Sequence, residues 1–131
     1  MIVLDTHVLI WWLSNPETLS GSATVVIDKA IEKEDLYISS ISTWEIAMLV
    51  AKERLTLNID TRDWIRKAES LPFVKFVPVD NTIALRSVHL PGDFHGDPAD
   101  RIIVATALTI GAKLVSKDKK IQAYPHIDTV W

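Results

Sequence analysis

The residues His95-Gly96-Asp97-Pro98-Ala99-Asp100-Arg101, running straight into Ile102-Ile103-Val104-Ala105, carry one more acid than a helix start needs. Asp97 has the type and place of an N-cap, Pro98 of the first helical position, and Asp100 of the third. One carboxylate satisfies the free amides, so Asp100 is either a second charge favoured by the helix dipole or a group available for chemistry. Three other acids follow short apolar runs: Asp5 after residues 1–4, Glu45 in the first turn of the helix after residues 36–39, and Asp118 after residues 113–116. If those runs are strands of a parallel sheet, Asp5, Glu45, Asp100 and Asp118 all lie at its carboxyl edge, where ligands bind in open α/β sheets.

Four acids in one place repel one another and demand neutralisation. Magnesium or manganese suits that task, because these hard cations take oxygen ligands and hold phosphate together with a few carboxylates. The matching chemistry is phosphodiester hydrolysis by metal-activated water. Thiolate chemistry is excluded, since the 131 residues contain no cysteine. The net charge of −3 argues against a protein that coats nucleic acid by bulk electrostatics, though not against an enzyme with local basic contacts.

The elements that must position these acids alternate. Apolar runs at residues 1–4, 36–39, 73–79, 113–116 and 127–131 read as strands. Between them lie helical patterns: one from Thr6 broken by Asn15-Pro16, one over about residues 22–34, one opened by Ser42-Thr43-Trp44-Glu45, one from Thr61, one capped by Asp80, and one from Pro98 to about Ile110 stopped by Gly111. The expected fold is α/β, with a mainly parallel sheet covered by helices on both faces, in one domain over residues 1–131. Ser42 and Glu45 have the spacing of a capping box, which competes with a ligand role for Glu45. No apolar run reaches membrane-spanning length, and the chain reads as soluble and cytoplasmic.

Val3-Leu4-Asp5-Thr6-His7, Ser42-Thr43-Trp44-Glu45, Asp97-Pro98-Ala99-Asp100-Arg101 and Leu114-Val115-Ser116-Lys117-Asp118 together resemble the PIN-domain nucleases, and more closely the VapC-type toxins of bacterial toxin-antitoxin pairs. The resemblance covers nearly the whole chain. It implies a three-layer α/β/α sandwich and a Mg2+- or Mn2+-dependent ribonuclease with Asp5, Glu45, Asp100 and Asp118 as its acidic quartet. It also implies a homodimer and a cognate antitoxin.

Beside the quartet, Asp97 is read as the cap with a supporting part, and Thr6 and Ser116 as hydroxyl donors that orient carboxylates. Arg101, Lys117, Lys119 and Lys120 are candidate contacts to RNA phosphates. His7 is expected to pack at the sheet edge, and His95 lacks the second histidine at helical spacing that zinc hydrolases use. Trp11, Trp12, Trp44 and Trp64 read as core, with some available for an interface. Rival readings are a PIN-like binding module without catalysis and a phospho-receiver domain. A receiver needs paired acids after the first strand, and here Asp5 stands alone. A dehalogenase-type phosphatase needs Asp-x-Asp, and His7 occupies the second place.

Overall fold

The computed structural model describes residues 1–131. Its sheet has five strands, all parallel, in the order β3-β2-β1-β4-β5: β1 Ile2–Leu4, β2 Leu36–Ser39, β3 Val74–Val77, β4 Lys113–Val115 and β5 Thr129–Val130. Seven helices accompany it: α1 Thr6–Ser14, α2 Gly21–Lys33, α3 Ile41–Ala51, α4 Thr61–Ser70, α5 Asn81–Val88, α6 Pro98–Ile110 and α7 Lys119–Gln122.

Alternation along the central strands sorts the helices into two layers, because successive side chains of a strand face opposite ways. Ile2, Leu4, Leu36 and Ile38 pack with Val8 and Leu9 of α1, Ile27 of α2, Ile46 of α3 and Trp64 and Ile65 of α4. Val3 and Leu114 face the other way, onto Ile83 of α5, Ile103, Val104 and Ala107 of α6, and Ile121 of α7. The expected α/β/α sandwich is therefore present, with one core on each side of the sheet. No helix is long and apolar enough to cross a membrane.

The chain passes from β1 to β2 on one side and later returns to place β4 on the other. β1 and β4 are thus neighbours at the point where the connection reverses, which leaves a crevice beyond their carboxyl ends. Asp5 closes β1, and its amide donates to the Val115 carbonyl at 3.0 Å.

Several boundaries differ from expectation for local reasons. β3 stops at Val77 because Pro78 has no amide to continue the ladder. α3 starts at Ile41, so Ser42 lies inside the helix and cannot cap it; Ser40 occupies that place with no side-chain bond. The capping-box reading of Ser42 and Glu45 is therefore incorrect. On α2 the buried face is Ala23, Ile27 and Ala30, with Val26 and Ile31 partly buried against the same core. α7, only four residues long, was too short to leave a periodic signal; Asp118 caps it, accepting from the amides of Lys120 at 2.7 Å and Ile121 at 3.2 Å.

α6 ends as expected at Gly111, whose φ of 71° lies in the left-handed region. Nothing lies within 4 Å of where a Cβ would stand at Gly111, whereas at Gly92, with φ of 64°, a Cβ would meet His126 Nε2 at 2.9 Å. Gly111→Ala should cost about 1 kcal/mol of backbone strain and Gly92→Ala more, a ranking that urea denaturation of the two variants measures.

Candidate acidic active site

The site grows from the ends of β1, β2 and β4 and the start of α6. Asp5 is buried, with 3% of its surface exposed, and is the N-cap of α1. Its Oδ1 accepts from the Thr6 amide at 2.8 Å and its Oδ2 from the Ser116 hydroxyl at 2.7 Å. Ser116 Oγ in turn accepts from the Asp118 amide at 3.0 Å, so one hydroxyl sets the spacing between the two acids.

A second relay reaches Glu45. The Thr6 hydroxyl donates to Glu45 Oε1 at 2.5 Å and lies 2.8 Å from the Ser42 hydroxyl. Each hydroxyl has a single proton, so Ser42 donates to Thr6 and Thr6 to Glu45. Ser42 is fully buried and its part was hidden in the sequence by its cap-like spacing.

Asp97 caps α6, accepting from the Asp100 amide at 3.0 Å. Asp100 then projects from the first turn of α6 into an open pocket lined by His95, Asp97, Asp100, Asp118, Lys119 and Lys120. Burial first, and then the charges of Asp5, Asp97, Asp118 and Glu45, push Asp100 up to about 7. Burial likewise raises Glu45, the Thr6 hydroxyl opposes it, and Asp5 and Asp97 add to the rise. Acids from four elements thus act on one another's charge.

Two histidines border the acids. His7 Nε2 accepts from the Lys117 amide at 3.0 Å, which leaves the ring proton on Nδ1, 3.5 Å from Asp5 Oδ2. Burial lowers the His7 pKa against the pull of Asp5 and Asp118, consistent with a neutral ring. His95 Nε2 is buried, makes no hydrogen bond, and lies 3.3 Å from Asp100 Oδ2. The sequence placed His95 two residues before Asp97, and only the loop's fold turns it onto Asp100.

The candidate phosphate contacts divide. Lys117, Lys119 and Lys120 are exposed at the site edge. Arg101 is not available: its Nε donates to the Ser87 carbonyl at 2.8 Å, Nη1 to Phe94 and His95 at 3.0 and 3.3 Å, and Nη2 to Val88 at 3.2 Å. The expected RNA contact by Arg101 is replaced by a clamp that ties the end of α5 and the loop before Asp97 to α6. Phe94 packs edge-on against Tyr124, and Tyr124 donates to the Pro91 carbonyl at 2.5 Å, holding the same loop from α7's side.

No three of these His, Asp and Glu side chains close into a ready-made ligand cage. The donor set nonetheless fits a hard cation that keeps several waters and is held by one or two carboxylates. Asp5 and Asp118 each present an oxygen fixed by the chain, and Asp100 faces the open pocket.

The sequence pattern described as "PIN domain" matches residues 2–127. The chain belongs to the PIN-domain family. It is 37% identical over 132 aligned positions to Ribonuclease VapC22 of Mycobacterium tuberculosis, covering 99% of this chain and 98% of that protein. Its fold also matches solved structures. One is FitAcB from Neisseria gonorrhoeae, with a TM-score of 0.69, 23% identity and coverage of 98% of this chain and 96% of that one. Another is VapBC2 from Rickettsia felis bound to a promoter DNA fragment, with a TM-score of 0.72, 18% identity and coverage of 98% and 97%. Within this PIN domain the acids of the four quoted motifs are the ones that gather at the β1/β4 crevice.

Two expectations follow. Truncating Arg101 to Ala leaves carbonyls of residues 87, 88, 94 and 95 without their donor; a loss of about 3 kcal/mol in stability is expected, with faster amide exchange confined to residues 88–97. Asp100 binds its proton more tightly in the folded chain, at about 7, than in the unfolded one, at 3.8. Stability of the metal-free protein should therefore be greatest below the unfolded value and fall as pH rises through about 7. The difference is of order 2 kcal/mol between pH 5 and 8, and Asp100→Asn should flatten it in thermal melts with chelator.

Proposed function

We propose that this PIN-domain protein is the toxin of a toxin-antitoxin pair and hydrolyses RNA phosphodiester bonds with Mg2+ or Mn2+. The observation that carries this reading is that Asp100 and Asp118 line one open pocket with Lys119 and Lys120 while the charges of Asp5 and Glu45, from two further elements, also act on Asp100. Kinship to a ribonuclease over nearly the full length supports the activity. A solved structure of like fold, a toxin-antitoxin complex from Klebsiella pneumoniae, supports a cognate antitoxin as partner. A homodimer acting in the cytoplasm, each copy a single domain, completes the proposal.

Asp5, Asp100, Glu45 and Asp118 would hold the ion. Bound there, it would supply a water of lowered pKa and neutralise charge developing on the phosphate. The chain supplies the rest. Ser116 and the α1 amide keep Asp5 in one orientation, while Thr6 and Ser42 aim Glu45. Asp97 anchors the α6 start so that Asp100 projects into the pocket, and that helix N-terminus favours a phosphate oxygen. Lys117, Lys119 and Lys120 draw the RNA backbone to the edge.

Asp100→Asn should remain folded and bind antitoxin while losing RNA cleavage; retained cleavage rejects Asp100 as a ligand. Chelation should abolish cleavage and Mg2+ or Mn2+ restore it, and activity that survives thorough chelation rejects the metal mechanism. Since Glu45 caps nothing, Glu45→Gln should leave the melting temperature within a few degrees yet lower turnover beyond the ~10–100-fold that loss of an outer partner causes.

A further inference from the structure

The acidic pocket has an aromatic flank. His7 and Trp11 are one turn apart on α1, their ring centroids 4.9 Å apart and nearly edge-on. Trp131 follows β5 directly, and its ring centroid lies 5.8 Å from that of Trp11. Lys117, at the end of β4, places its Nζ 5.6 Å from the Trp11 ring centroid. Through His7, which bonds the Lys117 amide and stands 3.5 Å from Asp5, this group is one side chain away from the buried acid.

Trp11 packs against neither core, although it sits in an almost wholly apolar helix; its neighbours are a histidine, a lysine and a second tryptophan. Trp64, by contrast, is 6% exposed inside the first core, and Trp12 turns away to meet Phe73. A large, partly buried ring with a cation above it offers a π face and a counter-charge together.

We infer that Trp11, flanked by Trp131 and Lys117, is a shelf on which an unpaired base of an RNA strand stacks while the neighbouring phosphodiester lies at the acidic pocket. Lys117 then swings from the ring to the strand's backbone. The inference rests on the ribonuclease reading and adds to it a base-binding position, which an unpaired base alone can use, because a base inside a duplex has no free face to offer. A protein partner is the less suitable occupant: an aromatic anchor at a protein interface sits in a dry apolar setting, and here the surroundings are cationic and polar.

The test uses the full chain carrying Asp100→Asn, which silences cleavage, and a fluorescein-labelled short oligouridylate, with a duplex of equal length as the control. Base stacking on an aromatic ring is worth about 1–3 kcal/mol, so Trp11→Leu should weaken single-strand binding about tenfold, Trp11→Phe less, and duplex binding not at all. Adding the strand should also quench tryptophan fluorescence, and Trp11→Phe should diminish the quench. Should Trp11→Leu fail to fold, Trp11→Phe and Trp131→Leu read the same shelf. Unchanged single-strand affinity in the folded variants overturns the inference, as does a loss confined to antitoxin affinity. With Asp100 restored, cleavage whose KM ignores Trp11→Leu removes the shelf and leaves the nuclease. Strand binding through Trp11 without any cleavage keeps the shelf and removes the nuclease.

Discussion

Mutual repulsion among carboxylates at a partly dry sheet edge is the constraint from which the rest of this molecule follows. Asp100 feels four like charges and is pushed up to about 7. An arrangement so costly calls for a scaffold that fixes each group and for a counter-charge. The crevice between β1 and β4 provides the place, since the reversal of chain direction leaves room there that no crossover covers.

Fixing is done by few atoms. Two hydroxyl relays, Ser42 to Thr6 to Glu45 and the Ser116 bridge between Asp5 and the Asp118 amide, hold three acids without placing any positive side chain among them. The fourth is placed by the α6 N-terminus, which Arg101 secures by donating to four backbone carbonyls. That guanidinium acts on architecture rather than on substrate. Its charge is absorbed by carbonyl dipoles, and it is not among the charges that act on Asp100.

Most of the architecture was legible because strands buried on both faces read as unbroken apolar runs and helix caps leave chemical signatures. Asp5, Asp80, Asp97 and Gly111 each mark a boundary the chain obeys. The quartet was legible once those boundaries put its members at one edge. What escaped depends on contacts across long stretches of chain. Arg101 looked like a free basic residue because its partners are carbonyls, which every residue has. Ser42 and Glu45 mimicked a capping box because three-residue spacing does not say where a helix begins. Trp44 read as core with the other tryptophans, yet it is 56% exposed, since the inward face of α3 is taken by Ile46.

Asp5, Asp97 and Asp118 are each the N-cap of a helix as well as part of the acidic edge. At these positions charge and helix start are therefore lost together unless the replacement is itself a good cap. Most replacements remove a helix cap, at a cost of about 1 kcal/mol, together with a charge. Asparagine, serine and, at slightly greater cost, glycine are the exceptions: each keeps a cap and removes the charge. A chain that sheds acids at this edge while keeping its fold would do so through those replacements.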